Sequence, residues 1–103
     1  MGNSQDSNKA QSKGVKAMYE TINEKIDVVA IFGKAFREVR PFKFRWHSRD
    51  YTISEIGYKH MEKQGRDTIY VFSCTDGSAF FELGFNASEV SWLLQKVGDE
   101  ETS

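Results

Sequence analysis

One proline and one cysteine in 103 residues leave this chain few ways to stiffen a small fold except by its core. The lone Cys74 excludes an intramolecular disulfide, and a single thiol within an apolar run fits a reducing compartment. No apolar run approaches the length of a membrane span, and the N-terminus lacks the hydrophobic stretch of a secretory signal. Met1-Gly2-Asn3-Ser4-Gln5-Asp6 begins like a myristoylation site but has Asp6 where Ser or Thr is required. Asn86-Ala87-Ser88 matches a glycosylation acceptor, which carries no meaning in the cytoplasm, the expected location. Catalytic signatures are missing as well. There is no glycine-rich phosphate loop and no histidine–carboxylate pair in a motif context. His47, Asp50, Glu55, His60 and Glu62 are the only metal-ligand candidates, and their spacing matches no zinc pattern. The reading is therefore of a non-enzymatic protein without metal or cofactor.

What the chain has in quantity is aromatic rings: Phe 8, Tyr 4 and Trp 2. Bulky rings are an efficient core material for a domain too small to bury much of its surface. They lie between two polar ends. Residues 1–13 are nearly free of apolar side chains and cannot offset their ordering entropy by burial. Residues 98–103 are similar and acidic, so both ends are expected to be disordered, with one domain over residues 14–97.

The most informative stretch is Pro41 to Ile53, where side chains alternate by type. Successive strand residues point to opposite faces, so Phe42, Phe44 and Trp46 share one face and Lys43, Arg45 and His47 the other. The net charge of -1 hides a local excess: Lys34, Arg37, Arg40, Lys43, Arg45 and Arg49 face only Glu38 between positions 34 and 49. Such asymmetry points to an anionic partner better than total charge does. Basic residues on the wet face of a strand are also commonplace and discourage edge pairing.

Along the chain, Val15, Met18, Tyr19, Ile22 and Ile26 fall on one helical stripe, which predicts a short helix from Gly14 to Glu24. Ile26 to Phe32 reads as a β-branched strand ended by Gly33, with a basic loop running to Pro41. A two-residue loop at Ser48-Arg49 would pair Trp46 with Tyr51 and Phe44 with Ile53. Gly57 predicts a bulge, and His60 to Gly65 a polar connection. Asp76-Gly77 is the strongest hairpin signal; a two-residue loop there pairs Phe72 with Phe81 and Tyr70 with Leu83 on a core face. The opposite face carries Ile69, Val71 and Phe80, half apolar, and calls for cover by the N-terminal helix, another strand or a partner chain. From Asn86 to Val97 the pattern fits a capped helix or a strand.

The run Pro41-x-x-Phe44-x-Trp46-x-x-Arg49-x-Tyr51-x-Ile53, followed by Tyr70, Phe81-Glu82-Leu83 and Trp92-x-Leu94, resembles a poorly characterised family of small bacterial β domains. Some of its members are encoded beside accessory proteins of Y-family DNA polymerases. The family has glycine where this chain has Ser48, which puts a left-handed turn residue there in question. The resemblance implies a strand for Ser91 to Val97 and a context of DNA repair, but its motifs are core aromatics and it assigns no site residue.

The expected fold is a mostly β, antiparallel roll or small, partly open barrel of about six strands with a short N-terminal helix. The alternative is α+β with a C-terminal helix. Two functions compete. The first is a small interaction module or accessory domain using Ile69, Val71 and Phe80, with an unidentified protein partner or a second copy as the ligand. The second is nucleic-acid binding through Lys34, Arg37, Arg40, Lys43, Arg45 and Arg49, with contacts to phosphates.

Overall fold

Alternating large and β-branched residues build nearly all of the structure. The computed structural model describes residues 15–35 and 38–102, which form seven antiparallel strands. These are β1 (Val15–Ile31), β2 (Arg40–Trp46), β3 (Arg49–Thr52), β4 (Glu55–Gln64), β5 (Asp67–Thr75), β6 (Ala79–Asn86) and β7 (Ser91–Thr102). They lie in one sheet in the order β3-β2-β1-β7-β6-β5-β4. The expectation of a mostly β antiparallel fold holds; the barrel does not close.

The chain order explains the curvature. β3 and β4 stand at opposite edges of the sheet, yet only Ile53 and Ser54 join them. The Ile53 amide donates to the Phe42 carbonyl on β2 (2.8 Å), and the Ser54 amide donates to the Thr75 carbonyl on β5 (2.9 Å). Adjacent residues thus tie the two edges together at one corner, and the sheet curls around the face that carries Phe44, Phe72, Cys74, Phe81, Leu83, Phe85, Trp92 and Leu94. Phe81 is the hub: its ring meets Phe44 and Tyr51 edge-on, with centroids 5.0 and 5.4 Å away.

The predicted helix over 14–24 is a strand wherever it is described. Ile22, Ile26, Val28 and Ala30 pack against the core, at even spacings that a strand satisfies, and the spacing of four shared by Ile22 and Ile26 fits either period. One extra residue in the bulge between Thr21 and Glu24, with Asn23 at φ 54°, adjusts the register. β1 pairs with β7 from Val15 to Ile26, so the segment Gly98 to Thr102 is a paired strand rather than a disordered tail. Residues 1–14 lie outside the described part. The C-terminal helix alternative also gives way to a strand. Asn86 still caps, but its Oδ1 accepts from the Ser88 and Glu89 amides (2.9 and 3.1 Å) in the turn between β6 and β7.

Both expected hairpin registers move. At the first, Trp46 pairs with Arg49, Arg45 with Asp50 and Phe44 with Tyr51, so the two-residue turn is His47-Ser48. Both residues have positive φ, 52° and 63°, as a type I′ turn requires. Ser48 is thus left-handed without being glycine. At the second, Thr75 pairs with Phe80 around Asp76 to Ala79. The Asp76 carboxylate accepts from the Ser78 and Ala79 amides, holding the longer loop. This shift is by two residues, so the predicted core face survives. The Gly57 bulge is observed between Ile56 and Tyr58, while His60 to Gln64 belongs to β4 rather than to a connection.

Two stability outcomes follow from this packing. Phe81→Ala should lose roughly 3–5 kcal/mol in urea unfolding, whereas Phe42→Ala, at a half-exposed ring, should stay within about 0.5 kcal/mol of the parent. Ser48→Gly relieves the left-handed strain and should add roughly 0.5–1 kcal/mol; a loss there would rule out the type I′ turn.

Candidate interaction surface

Strand alternation divides the six candidate cations among different surroundings. Arg40, Lys43 and Arg45 pair with Ile31, Val29 and Asp27 of β1 and share their outer face. Arg45 is committed: its Nε donates to Asp50 Oδ1 (2.9 Å) and its Nη2 to Oδ2 (3.4 Å). Arg49 pairs with Trp46, and its guanidinium lies 5.3 Å from the centroid of the Tyr51 ring, on the core side of the curl. Lys34 sits in the loop after β1, where its amide donates to the Glu38 carboxylate (2.9 Å). Arg37 lies outside the described residues. Lys34, Arg40, Lys43 and Arg49 make no ion pair among the described residues, and of these Arg40 and Lys43 share the outer face of β1 and β2.

Around them the surface is more apolar than the alternation predicts. Val29 and Ile31 are each about half exposed, and Phe42, assigned to the core face from the sequence, is 47 % exposed. The cause is a bulge. Val29 pairs with Lys43 but Ala30 with Pro41, so Phe42 is an extra residue in β2. Pro41 cannot donate to a ladder, and a proline inside a strand is the sequence signal that marks such a bulge. The exposed Val29 and Ile31 could be foreseen too, since an unbroken run from Val28 to Phe32 must present one parity to each face. Val29 and Lys43, with Asp27, Val28, Phe44, Arg45 and Asp50, border a shallow groove of about 340 Å³.

The face of Ile69, Val71 and Phe80 is closed by the chain itself. Val71 and Ile69 are 0 % and 5 % exposed, and Phe80 is half-buried. Val71 pairs with His60 on one side and Gly84 on the other. Gly84 is what lets the cover in: a Cβ there would lie 2.6 Å from Gln95 Nε2 and 3.1 Å from Ile69 Cγ2. Of the three covers expected, a neighbouring strand is the one seen.

The metal-ligand candidates do not converge. His60 Nε2 and Glu62 Oε2 are 2.9 Å apart, Asp50 is bound to Arg45, and His47 lies 3.5 Å from Glu24, which also accepts from Trp46 Nε1 (3.0 Å). Among the described residues no three such side chains are placed to hold a metal ion, and no helix is long and apolar enough to cross a membrane. Comparisons with protein-family models, curated proteins and solved structures find no match to this chain.

Two titrations test the electrostatics. Burial, with Asp76 adding to it, pushes the Cys74 thiol up to about 12, so iodoacetamide should label it at neutral pH only after unfolding. The hydrogen bond from Arg45 holds the Asp50 carboxyl below the ordinary aspartate range. A depressed carboxylate stabilises the fold above its unfolded pKa, and that contribution disappears as pH falls through the folded value. Asp50→Asn should therefore flatten the acid side of the stability profile and leave a similar slope above neutrality.

Proposed function

We propose that this chain is a non-enzymatic interaction module whose working surface is the outer face of β1 and β2. The carrying observation is the cluster of Val29, Ile31 and Phe42, all about half exposed, beside the uncommitted cations Arg40 and Lys43. Contiguous exposed apolar groups rimmed by charge mark contact surfaces, and buried aromatic anchors supply much of an interface's energy. The complementary partner is a protein presenting apolar side chains flanked by acidic ones. A photo-crosslinker at Val29 should capture it from the native host, with the same crosslinker at Glu82 as the control. Against the captured partner, purified, Phe42→Ala and Lys43→Glu should each weaken binding about tenfold or more. Unchanged affinity for both variants would refute the surface.

The exposed Phe42 ring also favours a second reading, binding of single-stranded nucleic acid, because stacking on a ring beside cations is how such strands are held. With the two outer-face cations Arg40 and Lys43 as the contacts, the slope of log affinity against log salt on an oligothymidylate should be about −1.4. No binding at low salt and micromolar protein removes this reading.

A further inference from the structure

The two edges of the sheet meet at Ile53-Ser54 and then part. Past that corner, β2 begins at Arg40 on one side, and on the other β4 runs with no strand on its outer edge among the described residues. Between them lies a cleft of about 570 Å³, lined by Arg40 and by residues Ser54 to Lys59. Alternate residues of an edge strand in an antiparallel pair direct their N–H and C=O groups away from the partner. β4 therefore lines this cleft with backbone groups that have no protein acceptor or donor among the described residues.

We propose that the seam receives one extended segment of a protein partner, which adds a strand to β4 and brings acidic side chains to Arg40 and Lys59. This deepens the reading of the chain as an interaction module, and Arg40 makes the seam continuous with the outer face of β1 and β2. Strand addition draws its affinity from backbone hydrogen bonds and its selectivity from the side chains that flank them. Here the flanking side chains are specific. Lys59 pairs with Phe72 and shares its face, the concave one, at the rim of the core. Met61, on the same face, is 65 % exposed, because the unclosed sheet leaves β4 without a roof. A charged residue on the concave side of an edge, together with the Gly57 bulge, is a device that keeps neutral apolar strands from pairing there. An acidic segment removes that obstacle by pairing with the lysine. Arg40 across the cleft supplies a second cation, and the cleft has a single acid, Glu55.

The probe is a synthetic valine–glutamate peptide of about eight residues with glutamates at both odd and even positions, so that acids reach Lys59 on the concave face and Arg40 on the outer one. Amide hydrogen exchange of the full chain is followed by NMR as the peptide is added. At ten times its Kd, alternate amides of β4 should exchange about tenfold more slowly, with small shifts at Arg40 and Phe42. A peptide with lysine in place of glutamate should protect weakly, and one N-methylated at alternate residues should not protect at all. Arg40→Glu combined with Lys59→Glu should abolish the effect while the β5 and β6 amides keep their protection, showing that the fold is intact. Equal protection by the lysine peptide, or no protection of β4 at millimolar peptide, overturns the proposal. Shifts confined to Val29, Ile31 and Phe42 also overturn the seam but leave the outer-face reading standing. That reading fails separately, if Phe42→Ala leaves the captured partner's affinity unchanged.

Discussion

Two hydrogen bonds from neighbouring amides set the shape of this molecule. Ile53 reaches β2 and Ser54 reaches β5, so strands at opposite ends of the ladder are held within one peptide unit of each other. A seven-stranded sheet with its ends so tied cannot lie flat. It bends until Phe44 and Tyr51 on one side reach Phe81 on the other. The core, the unroofed concave face of β4 and the cleft beside Arg40 are all products of that single corner. β3 is too short to extend the closure: its four residues end where the corner begins. β4 runs on for ten, paired with β5 on one side and with no described strand on the other.

A sequence shows local pairing better than it shows closure. The alternation of Phe72 and Cys74 with Ile69, Val71 and Ser73 reveals two distinct faces, and Asp76-Gly77 places a turn, so the β5–β6 hairpin was legible even though its loop is longer than two residues. A register displaced by two keeps every face, and both hairpins moved by two, so their predicted core faces survive although their turns do not. The sequence hid that turn because neither residue is glycine. The N-terminal stripe was misread because Ile22 and Ile26 stand four apart, a spacing common to one helical turn and to two strand repeats. What decides between them is the hydrogen-bonding partner supplied by β7, some seventy residues away. The candidate cations were legible as a cluster in sequence but not as a surface. Which face Arg49 takes, and whether Arg45 is already engaged by Asp50, depend on a turn register that composition does not encode.

The outer side of β5 shows how a thin sheet gains a second layer of burial. With Gly84 on one flank and His60 on the other, Val71 is buried without any described element crossing over it. The absent Cβ at Gly84 leaves room for both Gln95 and Ile69, which a side chain there would crowd. β5 is therefore buried on both faces, as central strands of layered folds are, in a molecule with a single sheet. The exposed apolar groups Val29, Ile31, Phe42 and Met61 lie accordingly on β1, β2 and β4.

The long first strand has a consequence for how the chain reaches this state. Within β4 to β7 every pairing joins sequence neighbours, and β1 with β2 and β2 with β3 likewise, so each block closes short loops that cost little chain entropy. β1 alone carries ladder bonds to both blocks. It meets β7 through Ile26 and β2 from Asp27 onward, and its most distant pair joins Val15 to Thr102. Joining residues so far apart is the slow kind of step in folding. The topology therefore favours two local meanders, β1 to β3 and β4 to β7, with the β1–β7 ladder as the late suture between them. Until that suture is made, the meander bearing Phe42 and Lys43 is fixed against the other by the Ile53-Ser54 corner.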